Sequence, residues 1–210
     1  MPREPKQERA VATRKALVDS AGRVFADKHY SAATLADVLT AAGVSQGSLY
    51  FHFRNKHDLA LAVIAAQGNA MQSVREDVLL RASGPIDALE RTAEAVAALI
   101  SKSPVVQGGL RLLIQSRDEF PEVTVDPYEL WLSFAAARFA DAKAQGMLRP
   151  GVDPADAGWL FVSAFMGAKE ILSYHRNWAD LPRRAGANAA LVLSAVLGSL
   201  AYDQEPSIQA

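Results

Sequence analysis

Apolar positions recur along this chain with the period of a helix almost throughout, and no segment alternates with the period of a strand. Between residues 8 and 27, Leu17, Val18, Ala21, Val24 and Phe25 fall on one stripe, which predicts a first helix. Thr34 followed by Asp37 is a start signal of the capping-box type, with Asp in place of the longer Glu or Gln. Leu35, Val38, Leu39 and Ala42 then mark a short second helix. Gly43 stands where such a helix ends in a left-handed turn, Ser45 is a good N-cap, and a third short helix follows over 46–52. A longer helix is predicted over 56–81, with Leu59, Val63, Ala66, Val74, Val78 and Leu79 on its buried side, before Ser83-Gly84-Pro85 breaks it. Five more are predicted at about 86–101, 104–118, 127–146, 153–174 and 184–203, separated by prolines and glycines such as Pro104, Pro121, Gly146 and Pro154. The fold class is all-α.

Composition narrows the chemistry. The chain has 210 residues, half of them hydrophobic and 21% charged, which fits a globular protein with a substantial core. It has no cysteine, which removes disulfides, thiolate catalysis and the common zinc and iron–sulfur ligand sets. The net charge of −1 excludes a uniformly basic coat, yet it is unevenly placed: residues 1–58 carry nine basic and six acidic side chains, and the remainder is acidic on balance. Such a split fits a small module facing a polyanion, joined to a larger body that faces something else. The polar N-terminus shows no signal-peptide core, so a cytoplasmic location is expected. The uncharged stretch Ala185 to Tyr202 approaches the length of a membrane span, but its glycine, serine and alanine content suits a buried or dimer-forming helix better.

The most informative segment runs from Thr34 to Asp58. Two short helices joined by Ala-Gly-Val-Ser are the sequence form of a helix-turn-helix, with Val44 pinning the turn to the core and Leu49 pointing inward. In that motif the second helix enters the major groove with its N-terminal residues at base edges. Gln46 can bond bidentately to an adenine edge, Ser45 and Ser48 can donate to phosphates, and Gly47 lets the backbone approach closely. Tyr50 and His52 are polar-tipped aromatics suited to the DNA backbone, and Lys56 opens the next helix, where free N–H groups also attract phosphate.

The run from the first helix through Leu-Tyr-Phe-His-Phe-Arg-Asn-Lys-His-Asp-Leu resembles the DNA-binding domain of the TetR family of transcriptional repressors, ungapped over about residues 10–66. The resemblance implies an all-α homodimer, with a three-helix helix-turn-helix domain over 1–55 and a ligand-binding and dimerisation domain over 56–210. It implies DNA contacts at Ser45, Gln46, Gly47, Ser48, Tyr50, His52 and Lys56, with Thr34 near a phosphate. A two-fold dimer requires an approximately palindromic operator. Closely packing helices at the dimer seam are expected from Gly158, Ala164, Gly167, Ala190 and Gly198, interleaved with Leu191, Val192, Ala195 and Val196.

The segment 102–112, Trp131, Gly151-Val152-Asp153-Pro154, Phe165-Met166-Gly167 and Gln67 together resemble the γ-butyrolactone receptors, repressors that sense lactone, furan or butenolide autoregulators and control antibiotic biosynthesis. That resemblance implies a ligand wall at Trp131 and a polar contact at Gln67. Leu110, Leu113, Phe134, Phe161 and Phe165 are candidates for apolar walls, beside Ala168. Two positions depart from the subgroup: Ala168 stands where a threonine is frequent, and Gln46 where a lysine is frequent. A different inducer, such as an antibiotic or other drug, is the alternative.

Gly43-Val44-Ser45-Gln46-Gly47 also matches G-x-S-x-G, the nucleophile elbow of serine hydrolases. An elbow needs a strand before its serine, and the pattern here is helical. His52 and His57 are five apart rather than four, and there is no H-E-x-x-H. No catalytic residue, metal site or cofactor is assigned.

Overall fold

The computed structural model describes residues 6–124 and 126–198. Among these the chain forms nine α-helices: α1 Lys6–Asp27, α2 Leu35–Ala42, α3 Gln46–His52, α4 Lys56–Arg81, α5 Pro85–Lys102, α6 Pro104–Gln115, α7 Pro127–Ala144, α8 Pro154–Tyr174 and α9 Leu181–Val196. Short 3-10 turns occupy Arg117–Glu119 and Trp178–Asp180. The helices divide into two compact units. One comprises the chain up to Ser73 together with Lys102–Thr124; the other comprises Val74–Ser101 and the chain from Val125 onward.

In the first unit, the predicted stripe of α1 is buried: Leu17, Val18, Ala21, Val24 and Phe25 meet Val38 of α2, Leu49 and Phe53 at α3, Leu59 and Val63 of α4, Leu112 of α6 and Phe120. Val44 packs against this core from the turn, as the sequence pattern predicts. α6 lies close against α1 through glycines. A β-carbon on Gly108 would collide with the carbonyl oxygen of Gly22, and one on Gly22 with the backbone of Val105. Arg111 fixes the crossing by donating from Nη1 to the Ala26 carbonyl at 2.8 Å.

In the second unit, α8 packs on α7 and α9. Gly158 lets α8 approach α7, because a β-carbon there would lie 2.8 Å from the Ala136 nitrogen. Phe139 and Phe161 meet edge to face, with ring centroids 6.0 Å apart.

The structure corrects several expectations. Helix α6 ends at Gln115, where the Ser116 N–H closes back on the Leu112 carbonyl, and the expected last turn is the 3-10 segment. Helix α9 begins at Leu181 because Pro182, expected to separate helices, occupies a first-turn position where its missing N–H costs nothing. It ends at Val196 because Leu197 turns extended and pairs with Leu148, while Gly198 donates to the Met147 carbonyl at 2.8 Å. Arg149 closes that end by donating to the carbonyls of Leu197 and Ser194, a cation where the helix dipole favours one. The expected continuation over 199–203 lies outside the described residues. Leu79, assigned to the buried side of α4, is 40% exposed, whereas Val78 is buried. No helix among the described residues is long and apolar enough to cross a membrane.

Candidate nucleic-acid interface

The α2–α3 pair is built by its caps. The Thr34 hydroxyl accepts from the Asp37 N–H at 3.2 Å and donates to the Asp37 carboxylate at 2.9 Å, while the Thr34 N–H donates to the same carboxylate at 3.0 Å. Lys28 donates to the other oxygen at 2.8 Å. With the Lys28 ammonium first and the Thr34 bonds next, the Asp37 carboxyl is pulled down to about 2. The shorter acid therefore closes the capping box. Gly43 takes φ 64°, the left-handed conformation that glycine adopts without strain, and its N–H returns to the Leu39 carbonyl. Ser45 then caps α3 by accepting from the Ser48 N–H at 3.2 Å. The pentapeptide 43–47 thus joins two helices, and its serine oxygen is a helix cap.

These turns give α3 two faces. Leu49 and the Phe53 that follows the helix are buried in the core. Ser45, Gln46, Gly47 and Tyr50 are exposed on the other side, with Ser48 and His52 half-buried at its edges. Phe51, absent from the sequence-derived set, is 77% exposed beside Tyr50. The signal available was its place one turn after Gly47. The His52 ring meets Phe51 edge-on at 5.0 Å and Phe53 at 6.4 Å.

Lys56 is placed differently from a free cation. Its ammonium donates to the carbonyls of Tyr30 and Ala33 at 2.8 and 3.0 Å and lies 4.3 Å from the Tyr30 ring centroid. It staples the start of α4 to the loop after α1, which leaves one N–H for other work. Thr34 likewise has its hydroxyl proton engaged by Asp37. Among the other cations of this unit, Lys15, Lys28 and Arg54 are paired with Asp19, Asp37 and Asp58.

The candidate ligand residues fall in both units. Gln67 on α4 is buried, with Gly109 of α6 packed so close that a β-carbon there would strike it; Leu110 and Leu113 are half-buried in the same unit. In the second unit, Trp131 and Phe134 meet edge to face at 6.2 Å, Phe161 and Phe165 are buried, and Ala168 is half-buried. Phe139, which meets Phe161, was not anticipated. Of the residues expected at a dimer seam, Val192 and Val196 are buried in the single chain and Gly158 packs against α7. Leu191 of that set is exposed on α9, and Trp159, Leu160, Ile171 and Tyr174, which were not in it, are exposed on α8.

The histidines are dispersed. His29 bonds Ser31 and the Gln115 carbonyl, His57 pairs with Glu122 and stacks on Phe120, and His175 is exposed at the end of α8. Among the described residues no three His, Asp or Glu side chains come together as a metal site.

A capped pair of short helices with a polar outer face defines a helix-turn-helix unit of the DNA-reading kind. Residues 17–63 match the family model "Bacterial regulatory proteins, tetR family", and they are a tetR-type domain. The chain is similar to the A-factor receptor protein of Streptomyces griseus, 27% identical over 179 residues, 84% of this chain and 60% of that one. Among solved structures it is similar to CprB from Streptomyces coelicolor in complex with its biological operator sequence, with TM-score 0.76, 26% identity, and 93% and 94% of the two chains covered. It is also similar to a γ-butyrolactone receptor described as ArpA-like, with TM-score 0.70, 26% identity, and 89% and 99% covered.

Proposed function

We propose that this protein is a transcriptional repressor that binds a palindromic operator as a two-fold dimer and leaves it when a small molecule binds. Carrying this reading is the face of α3, where Gln46, Gly47 and Tyr50 are presented outward by a helix anchored from behind by Leu49 and Phe53. Its likeness to CprB bound to an operator supports the DNA partner, and its likeness to the A-factor and γ-butyrolactone receptors supports a lactone, furan or butenolide autoregulator as inducer, with secondary metabolism as the process controlled. Residues 1–55 read DNA, with Thr34, Ser45, Gln46, Gly47, Ser48, Tyr50 and His52 as contacts, Phe51 added to them, and Lys56 contributing from the start of α4. Residues 56–210 bind ligand and dimerise. The protein acts in the cytoplasm and is not an enzyme.

The dimer rests on the exposed side chains of α8 and α9. Leu160, Ile171 and Tyr174 follow one face of α8 at helical spacing, and a monomer rarely leaves so much apolar surface wet. A second inducer class, an antibiotic or drug, is favoured by Ala168, whose methyl offers no hydrogen bond where lactone binders frequently carry a threonine.

Duplexes selected from a random pool, then bound to the wild-type protein and to Gln46→Ala/Tyr50→Phe, test the DNA reading. Tight, sequence-specific binding that the double variant loses is the expected result; equal binding by both overturns it. Addition of a synthetic γ-butyrolactone to the complex tests the ligand. Release by wild type but not by Trp131→Ala is expected. No release from the wild type, with release by a panel of antibiotics, transfers the assignment to the second class.

A further inference from the structure

We infer that Arg14 is a further contact to the DNA backbone, a guanidinium already fixed in place for a phosphate at the end of the reading helix. The inference rests on the DNA-binding reading above and extends it to a residue of α1.

Arg14 lies three and four positions before Leu17 and Val18, so it continues the buried stripe of α1 one turn beyond the core. That position carries it over Phe53, with Cζ 5.2 Å from the ring centroid. Phe53 is itself buried and closes α3 through its N–H to the Leu49 carbonyl. Arg14 is therefore held at the C-terminal end of α3. The cation lies over the ring, and no acceptor among the described residues takes its N–H donors.

The surrounding ion pairs give this position its significance. Lys15, Lys28 and Arg54 are each neutralised by a nearby carboxylate, and Lys56 is turned onto backbone carbonyls. Arg14 is exposed and has no acidic partner among the described residues. The basic excess of the N-terminal part is thereby concentrated on a few groups, and this one is pre-oriented beside the reading helix. Little side-chain freedom remains to be lost when a phosphate arrives, and the planar donor set matches its oxygens.

The test measures affinity by fluorescence anisotropy over a range of salt concentrations, using the full-length protein and a selected duplex. The variant Arg14→Met keeps an apolar stem on Phe53 and removes the charge; Arg14→Lys keeps the charge and loses the planar donor set. Each phosphate contact contributes about 0.9 to the slope of log affinity against log salt. We expect Arg14→Met to lower that slope by about 1.8 in a dimer, uniformly across related sequences, and Arg14→Lys to retain most of it. Thermal unfolding of each variant separates this from a structural role. Methylphosphonate substitution in the duplex supplies a reading that needs no variant: one neutralised phosphate per half-site weakens the wild type but not Arg14→Met. A slope unchanged in Arg14→Met, or no such phosphate for the wild type, overturns the role of Arg14 and leaves the DNA reading standing. A wild type that binds no duplex overturns both.

Discussion

The two units differ in what they leave exposed. Among large apolar side chains, the first unit exposes Val11, Tyr50 and Phe51. The second exposes Leu79, Leu80, Tyr128, Leu130, Trp159, Leu160, Ile171, Tyr174 and Leu191. The first buries nearly all of its large apolar side chains, and two of its exposed aromatics lie on the helix proposed to read bases. The second has an unfinished apolar surface on α8 and α9, the kind that a partner subunit completes. Substitution should therefore have different consequences in the two units: loss of fold where helices are locked together, loss of assembly where a helix face is open.

The largest effect is expected where α6 meets α1. Gly108→Ala places a methyl against the Gly22 carbonyl, which is backbone and cannot rotate away, so one helix must move. We expect a loss of about 3 kcal/mol in urea unfolding, the upper part of the range for overpacking, with DNA binding weakened in step. A variant as stable as the wild type would show that the α1–α6 crossing is loose and that the first unit is not one rigid body.

Next in size is Leu191→Glu on the open face. The side chain is 69% exposed, so the fold should be unaffected, and circular dichroism melts should coincide at concentrations where both proteins are monomeric. The dimer, in contrast, should dissociate at least about 100-fold more readily, since two apolar contacts are lost and two charges must be desolvated. Analytical ultracentrifugation reads this directly. An undisturbed dimer would move the interface away from α9.

This contrast also explains which features were legible from the chain alone. The caps around α2 and α3 are local: Thr34, Asp37, Gly43 and Ser45 act on backbone within four residues, and each does in space what its spacing announces. Leu49 and Val44 follow from the same short-range periodicity. Placements decided by distant partners were not legible. Leu79 and Val78 are equally apolar neighbours, and only packing decides which is buried. Of the four apolar residues of α9 named together, Val192 and Val196 are buried in the single chain and Leu191 is exposed, a division that packing makes and spacing does not announce. Lys56 turns onto the carbonyls of Tyr30 and Ala33, more than twenty residues away, and Arg14 meets Phe53 only after α1 and α3 have folded together.

A smaller effect is expected at the capping box of the first unit. Thr34→Ala removes the acceptor for the Asp37 N–H and should cost about 1 kcal/mol. The acid on the other side of the box gives a pH signature. Asp37 titrates at about 2 in the fold against an ordinary 3.8, so its contribution is fully present above the ordinary value and is lost as the pH falls through about 2. The melting temperatures of wild type and Asp37→Asn should differ at neutral pH and converge between about pH 4 and pH 2. A gap that persists to the lowest pH would mean that the hydrogen-bond geometry of the box, and not the ionised carboxylate, stabilises α2.

The smallest expected effect makes the sharpest distinction between the units. Gly167 sits on the same face of α8 as Leu160 and Ile171, and a β-carbon there meets nothing within 4 Å in the single chain. If that face stayed in water, Gly167→Ala would raise stability by up to about 1 kcal/mol, because alanine loses less backbone freedom in a helix. If a second copy packs on it, the same methyl intrudes on a close helix contact. The expected result has both parts: a monomer at least as stable as the wild type at high dilution, and a weaker dimer as concentration rises. Unfolding measured over a range of protein concentrations shows the crossover. Gly108→Ala in the first unit should show none, because the atom its methyl strikes belongs to the same chain.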